Sequence, residues 1–332
     1  MNNEIKPKRI RLEASSLCQL RCVSCPMTQK EKRRIIGYGY LKINDFQKLV
    51  DENPWIREIE LSNYGEMFLN PDLLDILECA YIKKIILTAH NGVNLNTADE
   101  NILEALVKYN FKAVTCSIDG ASNETYRVYR VGGDFDKVIQ NIEKINHYKR
   151  KYSSKIPLLN WQFVIFGHNE HEIPVARKMA ENLNMTFSLK LSWDDSFSPI
   201  QDKDFVKKHG GLDIVSRTEY YQKRGLDYMR GACAQLWESP QINWDGKLLG
   251  CCHNWWGSFG DAFESELTNA LNNEKMKYAR EMLLGKKPAR EDIPCATCPM
   301  YKRMKADNKW LTNSGLTRAK KAWHHIHSFV SR

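Results

Sequence analysis

The chain has 332 residues, 42% hydrophobic and 27% charged, with a formal net charge of +9. That length and balance exclude a disordered chain and suit one large domain with a smaller appendage. No apolar run approaches the roughly 18 residues of a membrane span, and the first residues lack the apolar stretch of a signal peptide, so a cytoplasmic setting is expected.

Between residues 8 and 192, short β-branched or apolar runs alternate with longer helical stretches, the pattern of strand–helix units around a parallel sheet. In chain order the reading is a strand at Arg9–Glu13, a helix at Asn44–Glu52, a strand at Glu58–Ser62 and a helix at Pro71–Ala80 capped by Asn70. A strand at Lys84–Ala89, a helix at Thr97–Tyr109, a strand at Ala113–Ile118 and a helix at Phe135–Arg150 follow. The pattern closes with a strand at Trp161–Phe166, a helix at Glu170–Leu183 and a strand at Thr186–Leu191. Leu103, Leu106 and Val107 in one helix, and Val138, Ile142 and Ile145 in another, recur at helical intervals that would cover one face of a sheet. The expected organisation is a core over 1–192, a connection over 193–232, a second unit over 233–300 and a basic tail over 301–332.

Eight of the ten cysteines are clustered. In a reducing compartment, clustered thiols point to metal or redox chemistry rather than to disulfides. Cys18, Cys22 and Cys25 stand at Cys-x3-Cys-x2-Cys in the loop after the first strand, and chemistry in parallel sheets sits at such strand ends. Three thiolates on one short loop can grip three irons of a 4Fe-4S cube and leave the fourth open. A zinc site would want a fourth ligand, which this loop does not visibly supply. Cys79 and Cys116, in a helix and a strand, read as buried small hydrophobes.

The three-cysteine loop resembles that of the radical S-adenosylmethionine (SAM) superfamily, and the resemblance extends along the following strands. Leu61–Met67 (LSNYGEM) is similar to the family's Gly-Gly-Glu segment, with Gly65 and Glu66 matching and Tyr64 replacing the first glycine. His90–Gly92 resembles the Thr-Asn-Gly turn, and Ser117–Gly120 followed by Tyr129–Phe135 resembles elements of the branch with C-terminal auxiliary clusters. The resemblance implies a partial (β/α)6 TIM-like barrel in which SAM is cleaved at the open iron to a 5'-deoxyadenosyl radical. It implies SAM contacts at Tyr64, Gly65, Glu66, Asn91, Ser117, Asp119 and Arg130, the last as carboxylate partner. The residue before the last cluster cysteine is usually bulky or aromatic in this family, and here it is Ser24.

In the second unit, Asp245-Gly246 reads as a hairpin turn that folds Cys233 and Cys251 toward one another, with Cys295 and Cys298 completing a set of four thiols. The arrangement resembles the twitch domain, a shortened relative of the SPASM domain, and implies one auxiliary 4Fe-4S cluster held by four cysteines. A four-cysteine zinc ribbon is the alternative. Either Cys251 or Cys252 fits as the ligand of this pair. A Cys252 left unligated could pack, or could donate hydrogen to a substrate radical. Two 4Fe-4S clusters and SAM are therefore the expected cofactors, with a reducing partner such as flavodoxin or ferredoxin.

The twitch-bearing enzymes it resembles include a dehydrogenase of an aminocyclitol, so the expected reaction is oxidation or epimerisation of a small sugar- or cyclitol-like molecule. Modification of a ribosomally made peptide is the alternative, disfavoured because the first strand starts almost at once and leaves little room for a leader-binding module. A non-enzymatic iron-sulfur or zinc protein that binds nucleic acid is a third reading. It rests on the tail, where eight Lys or Arg stand against Asp307 from Tyr301 onward. A solvated C-terminal helix explains that charge more simply. Trp193, Asp194, Asp195, Trp237, His253, Trp255 and Trp256 are placed either to meet substrate or to pack around the second unit.

Overall fold

The strands alternate: Ile10, Leu12, Ile59, Leu87, Val114, Trp161 and Phe163 join the apolar core, while the intervening Arg11, Glu60, Thr88, Thr115 and Ser117 are buried polar groups on the other face of the sheet. The computed structural model describes residues 4–312. Its strands are β1 (Arg9–Leu12), β2 (Glu58–Glu60), β3 (Ile86–Val93), β4 (Ala113–Ser117), β5 (Leu158–Ile165), β6 (Thr186–Leu191) and β7 (Gln241–Ile242). They lie in the order β6-β5-β4-β3-β2-β1-β7, every pair parallel. From β1 to β6 each crossover returns the chain to the neighbouring strand, the connectivity of an opened α/β barrel.

The expected helical faces are the buried ones. Leu103, Leu106 and Val107 are buried in Glu100–Lys108, and Val138, Ile142 and Ile145 in Phe135–Lys151. Burial of each such side chain stabilises the fold by roughly 1.5–3 kcal/mol. The helix expected from Pro71 begins two residues later, as Leu73–Ile82 with Asp72 at its N-cap position. Asn70 does different work: its amide donates to the Ala14 and Leu41 carbonyls at 2.8 and 2.9 Å, tying β1's exit loop to the chain before the first long helix. Residues 193–232, expected as a connection, have helices of their own, Lys203–Gly210 and Arg217–Arg224, capped by Asp202 and Ser216 and closed by the left-handed Gly211 and Gly225.

The seventh strand is the main departure from the six expected. Gln241 and Ile242 pair in parallel with Arg11 and Leu12, so the first strand of the hairpin around Asp245-Gly246 is also the outer strand of the barrel sheet. The hairpin itself forms as expected, with Gly246 at φ +87° and an antiparallel bridge between Ile242 and Leu248. Apolar side chains beyond it, among them Leu248, Phe259, Leu271, Met282 and Tyr301, belong to one continuous core with β1–β5. Arg11, 1% exposed, is the polar pin of this junction: its Nε donates to the Gln241 side-chain oxygen at 2.9 Å and its Nη2 to the Ser62 carbonyl at 3.1 Å.

The basic tail is described only to residue 312, and Arg318, Lys320, Lys321, Trp323 and Arg332 lie outside the described residues. Its first part is packed, with Arg303 paired to Asp227 at 2.8 Å and Trp310 ringed against Tyr301. Among the described residues no helix is long and apolar enough to cross a membrane. Replacing Gln241 by Leu removes one acceptor of the buried Arg11 guanidinium. Chemical denaturation should show a loss of about 1.5–3 kcal/mol, and an unchanged midpoint would mean that β7 is held without this bond.

Candidate active site

The chain leaves β1 through Glu13–Ser16 and enters the three-cysteine loop. Cys22 is buried, Cys18 and Cys25 are partly so, and Leu20, Tyr129, Val164 and Phe166 surround them as a small apolar cluster separate from the main core. Burial pushes the Cys18 and Cys25 thiols up, Cys25 to about 11, and the adjacent sulfurs add to the rise. Such thiols release their protons only to a strong local cation, which is what cluster iron provides. Two donors already point at the sulfurs: Asn94 Nδ2 at 3.7 Å from Cys18 Sγ and Arg130 Nη1 at 3.6 Å from Cys22 Sγ. Donors of this kind tune a cluster's potential.

The loops around the cysteines are held by carboxyl groups at the strand ends. Glu13, just past β1, accepts from the Tyr64 N–H at 2.9 Å and the Gly65 N–H at 3.0 Å. Glu60, on β2, accepts from the His90 N–H at 2.8 Å, the Asn91 N–H at 3.2 Å and the Thr88 hydroxyl at 2.7 Å. Glu66 accepts from the Asn94 N–H at 2.6 Å. Asp119 accepts from the Val164 N–H at 2.7 Å and from Arg130 Nε at 2.6 Å.

Gly65 is required by this closeness, because a Cβ there would stand 2.1 Å from the Ser15 carbonyl oxygen. At Gly92, with φ +116°, a Cβ would stand 2.2 Å from Ser117 Oγ. The expected His90–Gly92 turn is in fact the far end of β3, where the register slips between Ala89 and Val93.

These loops enclose a cavity of about 650 Å³, within the usual range for a ligand site. Cys18, Cys22, Cys25, Tyr64, Gly65, Glu66, Asn91, Ser117 and Arg130 all line it. Asp119 does not: it is fully buried behind the wall and reaches the cavity only through Arg130. The N–H groups of Tyr64, Gly65 and Glu66 are spent on Glu13 and on the Leu17 carbonyl, so none of the three is left to meet a ligand in the cavity. The Tyr64 hydroxyl is buried without a partner among the described residues. Ser24 presents no ring, but its carbonyl accepts from Trp193 Nε1 at 3.1 Å, which brings an indole from the end of β6 to that position.

The opposite wall comes from the second unit. Cys252, His253, Trp255 and Trp256 face the cavity with Trp193, whereas Asp194 and Asp195 line a separate small cleft and Trp237 packs on the core. Cys233, Cys251, Cys295 and Cys298 line a different, apolar chamber together with Leu236, Leu249 and Phe259. Cys251 and Cys252 are thus divided between two spaces. Trp256 borders both, its Nε1 fixed to the Pro294 carbonyl at 2.8 Å. Burial and neighbouring sulfurs push Cys251 up to about 12 and raise Cys233 and Cys295 well above the ordinary thiol value. Among the described residues no three Cys, His, Asp or Glu side chains converge on a point suited to a single ion. Four cysteine thiols lining one apolar chamber are a donor set that a 4Fe-4S cluster accepts.

The model of the radical SAM superfamily matches residues 12–179, half of the chain and the whole run from the cysteine loop through β5. The chain belongs to the radical SAM superfamily. A SPASM model, an iron-sulfur cluster-binding domain, matches residues 233–299, so this radical SAM enzyme carries a C-terminal SPASM domain, and its cofactors are 4Fe-4S clusters and SAM. The GTP 3',8-cyclase of Clostridium botulinum is 24% identical over 227 residues, 61% of this chain and 64% of that protein. A probable GTP 3',8-cyclase of Methanococcus maripaludis is 30% identical over 142 residues, 41% of this chain and 45% of that protein. The chain therefore spans less than two thirds of the length of these two relatives. Among solved structures, Streptococcus suis SuiB bound to S-adenosylmethionine matches with a TM-score of 0.62 and 14% identity, over 89% of this chain and 71% of SuiB. BtrN in complex with AdoMet and 2-DOIA matches with a TM-score of 0.50 and 14% identity, over 89% of this chain and 94% of BtrN. These two likenesses establish the fold.

Sequence reasoning passed over Glu13, Glu60, Arg11, Asn94 and Lys190. Glu13 and Glu60 carried a legible signal, a carboxylate in or just after a strand of alternating polar and apolar residues, where burial of the polar face demands a partner. Burial pushes Glu13 up to about 8 and Glu66 up to about 7 against their N–H donors, while Arg11 and His90 overcome burial at Glu60 and hold it at about 2. Glu13 and Glu66 bind protons more tightly folded than unfolded. Their contribution to stability is present below about pH 4.5 and is lost as pH rises through about 7 to 8. Glu60 contributes above about pH 4.5 and loses its contribution as pH falls toward about 2. Stability followed from about pH 5 to about pH 9 should decline less in a Glu13→Gln variant than in the wild type, and parallel declines would contradict the burial account.

Proposed function

We propose that this radical SAM enzyme oxidises or epimerises a small sugar- or cyclitol-like substrate held between the two thiol centres, with one auxiliary cluster on Cys233, Cys251, Cys295 and Cys298. The observation that carries the reading is the division of the adjacent cysteines. Cys251 faces the apolar four-thiol chamber, Cys252 faces the cavity, and Trp256 borders both.

When bound at Cys18, Cys22 and Cys25, the open cluster and SAM supply a hydrogen-abstracting adenosyl radical. The chain's own groups do the rest. Arg130, clamped by Asp119, offers its remaining guanidinium donors to the SAM carboxylate, and the Tyr64–Glu66 loop offers oxygen to the ammonium. Asn91 is locked by Glu60 and by Asn63, to whose carbonyl its amide donates at 3.0 Å, and with Ser117 it forms the cavity floor.

Oxidation requires that one electron leave the substrate after hydrogen abstraction, and the four-thiol chamber behind Trp256 is the near acceptor site. Epimerisation instead requires a hydrogen donor on the cavity wall. Cys252 is the thiol placed for it, gripped by Gln235 through its N–H at 2.7 Å and its sulfur at 3.4 Å.

The match to BtrN over nearly all of that protein's length supports a small substrate. A peptide substrate is the second reading, favoured by the higher TM-score to SuiB, a protein also solved bound to precursor peptide SuiA. An electron donor such as flavodoxin or ferredoxin is part of the proposal for either substrate.

Iron analysis of anaerobically reconstituted protein separates the thiol roles. The wild type and Cys252→Ala should hold about eight irons, while the Cys18, Cys22, Cys25 triple alanine variant and the Cys295, Cys298 double alanine variant should each hold about four. Loss of half the iron in Cys252→Ala would assign that thiol to the auxiliary cluster and remove the hydrogen-donor role.

A further inference from the structure

Two cations of the cavity wall have no carboxylate partner among the described residues. Lys190 lies on β6 and Arg217 opens the helix Arg217–Arg224, and both reach the same indole. Lys190 Nζ is 6.0 Å and Arg217 Cζ 5.9 Å from the Trp193 ring centroid. Arg217 is fixed in place: its Nε donates to the Leu191 carbonyl at 3.3 Å and its Cζ lies 4.7 Å from the Tyr228 ring centroid. Its Nη2 is nevertheless buried with nothing to donate to. The carboxylates that act on Arg217 are engaged elsewhere, Asp227 with Arg303 at 2.8 Å and Asp195 with the Thr218 hydroxyl at 2.6 Å.

Holding two desolvated like charges on one wall costs free energy that the aromatic rings and the carboxylates engaged elsewhere offset only in part. Burial pushes Lys190 down to about 8, and Arg217 beside it adds to the fall; Arg217 is itself lowered, chiefly by burial. Lys190 and Arg217 line the cavity with Cys252 and His253, the latter lowered by burial first and then by Arg217, so the pair belongs to the side of the cavity that the second unit supplies. SAM's carboxylate already has Arg130 at the cluster side. An anion seated between Lys190 and Arg217 would relieve both groups and satisfy the orphaned Nη2.

We propose that Lys190 and Arg217, braced by Trp193, form an anion subsite that seats a phosphoryl or carboxylate group of the substrate. The proposal rests on the reading of this cavity as the substrate site and specifies the substrate class as anionic.

The test measures saturable binding of inorganic phosphate, and separately of acetate, to anaerobically reconstituted holoenzyme with and without saturating SAM. At least one of the two probes should bind at one site per chain, and SAM should leave that binding in place. The preferred probe tells phosphoryl from carboxylate. Affinity for it should fall by about tenfold or more in Lys190→Met and in Arg217→Met, and recover in part in Arg217→Lys. Iron content verifies that each variant is folded and loaded.

No saturable site for either probe, displacement of the probe by SAM, or affinity untouched by both methionine variants would each overturn the subsite. The enzyme reading fails separately, through absence of SAM cleavage by reduced wild-type protein. In that case anion binding at Lys190 and Arg217 would stand without it.

Discussion

Backbone N–H groups at the mouth of a parallel sheet have no next strand to pair with, and in this protein buried carboxyl groups take them. Glu13 holds the loop after β2, Glu60 the end of β3, Glu66 the chain that follows, and Asp119 the end of β5. Each acid sits on or just beyond one strand and grips the backbone at or near the end of another, so the loops form a connected rim instead of separate flaps. The cavity exists because that rim is held open at fixed spacing. Gly65 and Gly92 are consequences of it, since the loops pass so close that a methyl group has no room. Burying these acids costs stability, visible in the raised Glu13 and Glu66, and the N–H donors offset part of that cost.

The rim also divides the chemistry. On the sheet side, three thiols sit in an apolar pocket with Asn94 and Arg130 directed at their sulfurs. On the far side, four thiols surround a second apolar chamber, and Trp256 stands between it and the cavity. The junction is rigid because β7 extends the barrel sheet itself, pinned through Arg11 and Gln241, and because both sides share one core. The distance between the two thiol centres is therefore set by strand pairing, a harder constraint than a flexible linker would impose.

Much of this was legible in the sequence. Alternation and helical spacing located six strands and five helices, and the order of Cys18–Cys25, Gly65–Glu66, Asn91 and Ser117 behind successive strands located the cavity wall. Helices Lys203–Gly210 and Arg217–Arg224 were missed although Asp202, Ser216, Gly211 and Gly225 are ordinary caps, because their few apolar residues hide the helical period. β7 was read only as half of a hairpin, since two residues carry no periodicity and long-range pairing decides their place. Asp119 matched the family pattern, yet only the structure shows that it acts through Arg130. The separation of Cys251 from Cys252 is likewise a matter of which way two adjacent side chains turn, which spacing cannot tell.

The central claim is that the two sets of thiols face different spaces, Cys18, Cys22 and Cys25 the large cavity proposed to take SAM and the other four a separate apolar chamber. EPR of the anaerobically reconstituted, reduced protein, recorded before and after SAM is added, addresses it directly. The account predicts two cluster signals of which only one changes with SAM, and that this SAM-sensitive signal persists when Cys295 and Cys298 are replaced by alanine. Signals that ignore SAM, or a SAM-sensitive signal that disappears with Cys295 and Cys298, would contradict it.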